Sequence, residues 1–466
     1  MPLWPEWTAR LDALRPACAR TLTFRWLCVA LLGLCAGGDR LGVTSWVRSG
    51  FLDGNVYRRL LHLFAGGGVR VEALTRCWVG LVLALFRPFE VEGYRLAVAD
   101  GLKVPKEGRH MPAVKSLHQE SQNNSKPPYI MGHSFQVVGL LVEGDRAPLC
   151  VPLASRLHEG VKAGPGEART LLDKLVALFL PLASELRTPV ILLADAYYAS
   201  RKIILPLLAA GHHLVTRVRT NAVAYRPVTP PVKRCRGRPR TYGEKVRLND
   251  LWGSPGFATE PSPAYGEQEV MLQLLALDLL WRPVGRLVRF VLVDHPVRGR
   301  IILMTTHLGL DPLDVVRLYS YRFKIEVSFK QAVHTVGTYA YHFWSKTMRP
   351  IHRGSGDQYL HRATPEYRRR IRRKLEAYDL HAQLGCIAQG LLQHLAVNFR
   401  PTVWGEFRSW MRTMNVAATP SEAVTAQALR AGLPDFLMAS PPEGTFEKFL
   451  LEKVDWTRVP GVQMDT

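Results

Sequence analysis

The chain has 466 residues, and 61 Lys and Arg against 39 Asp and Glu give it a formal net charge of +22. This length is more than one compact core usually organises, and the 47% of hydrophobic residues exclude a generally disordered protein. A field this positive attracts polyanions, so nucleic acid is the favoured class of partner and an anionic membrane surface is the alternative.

The cysteines and the apolar runs bear on compartment and membrane association. The seven cysteines are scattered without a Cys-x2-Cys pair, which argues against a zinc module and a disulfide framework. The longest apolar run near the N-terminus, 27–36, is too short to span a bilayer, and no signal-peptide pattern accompanies it. We therefore expect a soluble cytoplasmic protein with no membrane partner, associated with the nucleoid if it binds DNA.

Hydrophobic spacing predicts the elements in chain order. Residues 1–90 carry apolar residues at helical spacing, such as Tyr57, Leu60 and Phe64, with glycine-rich breaks between the helices. The next elements are predicted as strands at 94–99 and 134–142, a helix at 168–186, a buried strand at 189–194, a helix at 201–210 and a strand at 213–218. This alternation predicts an α/β layer.

The pattern changes after residue 220. Pro and Gly are frequent over 221–300, where short β-rich pieces predict an inserted β subdomain. A strand at 301–304 and a helix from about Leu313 resume the α/β pattern, and the chain beyond 365 reads as helical, with an amphipathic helix at 380–397. We expect five regions: helical 1–90, α/β 91–220, β-rich 221–300, α/β 301–400 and helical 401–466.

Two acidic residues stand where apolar strands are predicted to end. Asp100 follows the strand at 94–99 and Asp195 follows the strand at 189–194. A carboxylate is costly to bury unless it is paired, and a divalent cation is the strongest such partner. The alternative is that each Asp caps a following turn or helix, which for either residue alone is the more ordinary role.

A third acid lies in a stretch that reads as one helix. At about 100° per residue, Tyr319, Arg322, Glu326 and Lys330 fall on one helix face. An adjacent apolar stripe that includes Ile325 can face the core, so the polar face can border a cleft. The alternative is a solvated helix with ordinary ion pairs between successive turns, each worth a few tenths of a kcal/mol.

These segments resemble the DDE transposases of bacterial insertion sequences, in the group with the signature Tyr-x2-Arg-x3-Glu-x6-Lys. Tyr319, Arg322 and Glu326 match that spacing, whereas the position of the final Lys is Val333. The segments around Asp100 and Asp195, together with 214–222 and 237–243, are also similar to the family. Because Lys330 lies on the predicted face of Glu326, we interpret it as a possible substitute for the missing Lys.

The resemblance implies an RNase H-like mixed sheet flanked by helices, with a β-rich insertion between the second and third acids. It implies that Asp100, Asp195 and Glu326 are catalytic and bind two Mg²⁺ or Mn²⁺ ions for phosphoryl transfer. It also implies cleavage at the ends of a mobile element and strand transfer. The partners would be double-stranded DNA, as terminal inverted repeats and target DNA, and a second copy forming a homodimer on DNA.

Two basic segments and the signature residues supply predicted DNA contacts. Arg238 and Arg240 belong to an Arg-Gly-Arg-Pro segment that fits a narrow minor groove, although a solvated basic loop is an equal alternative. Arg369 and Arg372 belong to a dense run at 368–374, where like charges repel unless phosphates are near. Tyr319, Arg322 and Lys330 are the remaining predicted contacts, and residues 1–90 would bind the DNA ends.

The leading hypothesis is therefore a metal-dependent DDE transposase. One alternative is a catalytically silent or domesticated DNA-binding protein, which would be marked by loss of one acid, and all three are present. The other is a different metal-dependent nuclease or phosphatase on the same scaffold, which explains the +22 charge less well.

Overall fold

The computed structural model describes residues 3–38, 42–119, 127–162, 164, 169–228, 240–407, 414–439 and 445–461. The helices in these ranges are α1 (Leu3–Thr8), α2 (Thr21–Cys35), α3 (Val43–Ser49), α4 (Val56–Ala65), α5 (Val71–Leu85), α6 (Leu171–Glu185), α7 (Arg201–Ala209), α8 (Pro312–Tyr321), α9 (Lys324–Gln331), α10 (Pro365–Asn398), α11 (Arg400–Phe407), α12 (Glu422–Ala431), α13 (Leu433–Met438) and α14 (Phe446–Leu451).

The strands in the same ranges are β1 (Glu90–Val91), β2 (Tyr94–Pro105), β3 (Lys115–His118), β4 (Tyr129–Val142), β5 (Leu149–Leu157), β6 (Val161–Lys162), β7 (Val190–Ala194), β8 (His213–Arg217), β9 (Val223–Tyr225), β10 (Lys245–Arg247), β11 (Ala258–Pro261), β12 (Met271–Trp281), β13 (Arg286–His295), β14 (Gly299–Thr305) and β15 (Gln358–Tyr359).

The chain divides into two compact units. The first consists of Met1–Pro88, Gly101–Ala168 and Glu326–Thr466, and the second of Phe89–Asp100 and Arg169–Ile325. Strand β2 crosses the boundary between Asp100 and Gly101, and helix α9 crosses it between Ile325 and Glu326.

The second unit is built on a mixed sheet in the order β10-β9-β12-β13-β14-β8-β7-β2. Strands β2, β7 and β8 are parallel, while β14, β13 and β12 continue the sheet antiparallel to one another. Helices α7 and α8 pack on β8, and α6 packs on α7. A capping box between Thr170 and Asp173 begins α6, and the Ser200 side chain caps α7. The predicted α/β class, a mixed sheet flanked by helices, is confirmed.

Burial accounts for the extent of β7 but not for that of β2. All five residues of β7 are buried, as expected for a parallel strand covered on both faces. Strand β2, in contrast, continues to Pro105, so the prediction that this strand ends before Asp100 is wrong. After Ala99, exposed residues of β2 alternate with half-buried ones and with the buried Val104, so the continuous buried run stops while the strand continues.

The first unit contains the antiparallel pairs β3–β4 and β4–β5, and the 34-residue helix α10 packs against β5, α2, α4 and α5. Residues 380–396 of α10 are buried on every face, so the prediction of an amphipathic helix here is wrong. Two of its glutamines use their side-chain amide groups as buried donors, because Gln383 donates to Leu153 O at 2.9 Å and Gln393 donates to Cys150 O at 3.1 Å. Among the described helices, none is long and apolar enough to cross a membrane.

Candidate active site

Three neighbouring parallel strands align the charged residues of the second unit. Strand β2 pairs with β7 at a constant offset, from Arg95 opposite Val190 to Val98 opposite Leu193. The same offset, continued by two residues, sets Asp100 opposite Asp195. The pairing of β7 with β8 places Ala194 opposite Thr216, and continuing it sets Asp195 opposite Arg217. Neighbouring strands lie about 4.8 Å apart, so this extrapolated register would bring the backbone positions of Asp100, Asp195 and Arg217 next to one another.

Asp195 is held in place by its own turn. Its Oδ1 accepts a hydrogen bond from Tyr197 N at 2.9 Å, which caps the 3-10 turn Ala196–Tyr198. Its carbonyl oxygen accepts a bond from Thr216 Oγ1 at 2.6 Å. The capping role considered for Asp195 is therefore real, and it fixes the carboxylate at the end of β7 while the side chain stays half-buried.

Asp100 has a different partner. Its Oδ2 accepts a hydrogen bond from Arg322 at 3.2 Å, and the two side chains are only 20% and 19% exposed. Asp100 lies within β2 and caps no helix, so the capping alternative does not apply to it. The carboxylate is thus stabilised by a cation in a largely buried position.

Tyr319 lies among these charges. Burial raises the pKa of its hydroxyl, Arg322 and Arg217 lower it, and Asp195 and Tyr265 raise it further. Because the pKa is raised overall, the hydroxyl stays protonated near neutral pH and can donate a hydrogen bond. The sequence prediction missed Arg217 and Tyr265 as neighbours. The signal for Arg217 was present, because it also ends an apolar strand.

Tyr265 has an unusual backbone conformation. Its φ is 56°, in the left-handed region that is unfavourable for a bulky side chain. The side chain is 56% exposed, and the Arg298 guanidinium lies 3.8 Å from its ring centroid. The segment between β11 and β12 thus holds an exposed aromatic residue near Tyr319 in a strained backbone conformation.

The prediction of one continuous helix through the third acid is wrong. Helix α8 ends at Tyr321 and α9 begins at Lys324. Between them, Arg322 N donates to Tyr319 O at 3.1 Å and Ile325 N donates to Arg322 O at 3.2 Å. These bonds span three residues instead of four, which tightens the turn and changes the angle between successive side chains. The predicted shared face of Tyr319, Arg322, Glu326 and Lys330 therefore does not follow from a single helix.

Glu326 and Lys330 both lie on α9, in its first and last turns. Gln389 of α10 donates to Ser328 O at 3.2 Å and to Ser328 Oγ at 3.0 Å, which anchors the part of α9 that belongs to the first unit. Lys330 is exposed. Val333 lies in a π-helical segment, Ala332–Val336, so the spacing from Glu326 to position 333 is not that of a regular α-helix.

The donor set can be compared with the metals that the resemblance implies. Within the described residues, no three or more His, Cys, Asp or Glu side chains lie close enough to hold a metal ion together. Asp100 and Asp195 nevertheless supply the oxygen ligands that Mg²⁺ and Mn²⁺ prefer. The oxygen atoms of Asp100 and Asp195 therefore suit a divalent ion, whereas the structure does not gather the predicted set of Asp100, Asp195 and Glu326 into one group of metal ligands. Asp100 is paired instead with the guanidinium of Arg322.

The predicted DNA contacts outside this site are mostly exposed. Arg369 and Arg372 are exposed in the first turns of α10. Arg240, which precedes β10, is also exposed. Arg238 lies outside the described residues. In the same part of α10, Arg370 forms an ion pair with Glu366 at 2.6 Å, which partly neutralises the positive charge of Arg370.

Comparison with known families agrees with this geometry. The family model of the DDE superfamily endonuclease matches residues 13–270. The matched span covers more than half of the chain and includes Asp100 and Asp195, while Glu326 lies beyond it. The chain therefore belongs to the DDE superfamily endonuclease family, and the resemblance to a DDE transposase is confirmed. No curated protein matches the chain significantly.

Proposed function

We propose that this protein is a transposase that cleaves DNA at the ends of a mobile element and joins them to target DNA. The observation that best supports the proposal is the parallel register of β2 with β7, whose offset, if extended by two residues beyond Val98 and Leu193, would bring Asp100 level with Asp195, together with the ion pair of Arg322 and Asp100. Two carboxylates on adjacent rigid strands beside a phosphate-binding cation are what phosphoryl transfer requires.

In this proposal Asp100 and Asp195 would hold the divalent ions, Mg²⁺ or Mn²⁺, two in number, and Glu326 would supply the third carboxylate. When bound, such ions stabilise negative charge on the attacking and leaving oxygens of an in-line displacement. Arg322 would release the carboxylate of Asp100 and bind a phosphate oxygen of the scissile strand instead. The protonated Tyr319 hydroxyl donates a hydrogen bond to the same group, which orients the phosphate.

The DNA itself would be held by the basic surfaces. Arg369 and Arg372 contact phosphates of double-stranded DNA, and Arg238 and Arg240 enter a minor groove. The helical region 1–90 recognises the terminal inverted repeats, and two copies assemble as a homodimer on the DNA ends. The net charge of +22 supports such contacts, because each neutralised phosphate releases a counterion.

The experiment uses a labelled duplex that carries the DNA flanking the gene. Asp100→Asn, Asp195→Asn and Glu326→Gln should each abolish cleavage while leaving DNA binding within about twofold of wild type, since the three act as one unit. Asp294→Asn is the matched control, because it removes a carboxylate that pairs with Arg300 on the surface. Full cleavage by any of the three variants would remove that residue from the site.

The same assay separates the alternatives. A catalytically silent DNA-binding protein would bind the duplex but release no cut strand in Mg²⁺ or Mn²⁺. Another metal-dependent nuclease would cut without strand transfer and without preference for the flanking repeats. Cleavage that survives excess EDTA would contradict the metal-dependent proposal.

Lys330 has a separate role in the proposal, as the residue that replaces the Lys absent at Val333. Lys330→Ala should reduce cleavage by about ten- to a hundredfold, which corresponds to roughly 1–3 kcal/mol of lost phosphate positioning. Adding Val333→Lys should recover part of that loss. Cleavage by Lys330→Ala at the wild-type rate would exclude this substitution.

A further inference from the structure

The first unit contains a cavity of about 720 Å³ whose walls carry mainly positive charge. Lys106, Arg109 and Arg353 line it, with Glu107 as the acidic residue among the described lining residues. The volume lies in the range of small-molecule sites. The lining therefore favours an anion of roughly the size of a nucleotide.

Lys106 is the unusual member of this lining, because its side chain is buried. The residue is 7% exposed, and its ammonium donates to Tyr339 O at 2.5 Å and to Tyr341 O at 2.9 Å. Burial lowers the pKa of Lys106 to about 8, so it remains mostly charged at neutral pH. In the described part of the chain no carboxylate forms an ion pair with it. Its hydrogen-bond partners are neutral, and an incoming anion would supply the missing counter-charge.

The cavity walls are fixed by backbone hydrogen bonds. Ile351 N donates to Arg109 O at 2.9 Å, and Ser116 N donates to Ser355 O at 2.8 Å. These bonds tie the loop carrying Arg353 to the segment carrying Arg109. Two arginines from separate segments are therefore held on one rigid rim, and little ordering is needed before a ligand binds.

An aromatic ring completes the site. Tyr129 lines the same cavity and is 61% exposed, with one edge against His118 at a centroid distance of 5.1 Å. An exposed ring beside guanidinium groups is the combination that binds a base together with its phosphate in single-strand sites.

We propose that this cavity binds a nucleoside 5′-monophosphate unit, with the phosphate on Arg109, Arg353 and Lys106 and the base against Tyr129. The unit comes either from a free mononucleotide or from a nucleotide of a DNA strand. This site is separate from Asp100 and Asp195 and does not depend on the catalysis proposed for them.

The test is calorimetric titration of the intact protein with thymidine monophosphate, thymidine and inorganic phosphate. Thymidine should bind at least about tenfold more weakly than its monophosphate, since it lacks the charged group. Arg109→Gln and Arg353→Gln should each weaken monophosphate binding by about tenfold. Arg146→Gln, which removes an exposed arginine that does not line the cavity, should leave it unchanged. Tyr129→Ala should weaken the monophosphate and leave inorganic phosphate unaffected.

Photocrosslinking locates the ligand and identifies its source. 4-Thiothymidine monophosphate should crosslink to the peptide that contains Tyr129. A single-stranded oligonucleotide that suppresses this crosslink at lower concentration than the monophosphate identifies DNA as the source, and failure to suppress it identifies the free nucleotide. Equal binding of thymidine and its monophosphate, wild-type binding by both arginine variants, or a crosslink confined to other peptides would each overturn the proposal.

Discussion

Arg322 offers a prediction in which metal binding and cleavage change in opposite directions. Its guanidinium lies 3.2 Å from Asp100 Oδ2, where it would compete with the proposed divalent ion for the same carboxylate. Arg322→Gln removes the competing charge and keeps a polar side chain. We expect Mg²⁺ to bind the variant more tightly in the absence of DNA, and we expect cleavage to fall because the phosphate loses its cation.

The magnitude follows from the separation of the two charges. For charges 3.2 Å apart, Coulomb's law gives roughly 1.3 kcal/mol in water and roughly 5 kcal/mol at an effective dielectric constant of 20. Desolvation of the two largely buried side chains offsets most of the larger value. A net competition of about 1.4 kcal/mol corresponds to Mg²⁺ binding that is about tenfold tighter.

The assay is isothermal titration of the DNA-free protein with Mg²⁺, followed by cleavage of the labelled duplex. Arg289→Gln is the matched control, because Arg289 pairs with Asp278 at 2.8 Å elsewhere in the same unit. Arg289→Gln should change neither the affinity for Mg²⁺ nor the rate of cleavage. Weaker or unchanged Mg²⁺ binding by Arg322→Gln would refute the competition, and undiminished cleavage would refute the role of Arg322 at the phosphate.

Three further predictions concern charge, packing and pH. Replacing the four arginines at 368, 369, 372 and 373 with Ala should flatten the plot of log affinity against log salt by up to about 3.6, at roughly 0.9 per phosphate contact, and an unchanged slope would mean that they touch no DNA. Gly390→Ala should lower the urea midpoint by the equivalent of about 1–3 kcal/mol, because the new Cβ would lie 2.3 Å from Trp78. Gly405→Ala, which meets nothing within 4 Å, should not lower it. Burial lowers the pKa of Lys106 from 10.5 to about 8, so the folded state binds fewer protons between these values. Stability of wild type relative to Lys106→Met should therefore rise from pH 8 to 10.5 by up to roughly 3 kcal/mol, and urea midpoints with no such trend would contradict the assignment.

The sequence predicted best where local pattern and burial coincide. Strand β7 is apolar throughout and buried throughout, so its place in a parallel sheet could be read directly. The prediction of an amphipathic helix was wrong for residues 380–396 because glutamines such as Gln383 and Gln393 are typical of surfaces. Their buried hydrogen-bond partners are supplied only by the folded chain. Hydrophobic periodicity does not report long-range hydrogen bonds.

The candidate site was predictable in composition but less so in geometry. Asp100 and Asp195 were found as acids after apolar runs, yet their register depends on how β2 pairs with β7. The break after Tyr321 has no Pro or Gly to mark it, so helical spacing was carried through it. The positions of Arg217 and Tyr265 around Tyr319 depend on contacts between segments that are distant in sequence.

Because α10 is one long helix, inserting residues within it would change the direction of its first arginines relative to its buried half. The arginines near its start and the buried residues 380–396 belong to one uninterrupted helix of 34 residues. Inserting a single residue between them would turn the arginines by about 100° relative to the buried half, whereas inserting seven would leave them within about 20° of their original direction. We therefore expect insertions here to preserve the direction of the arginines only when they add a nearly integral number of helical turns.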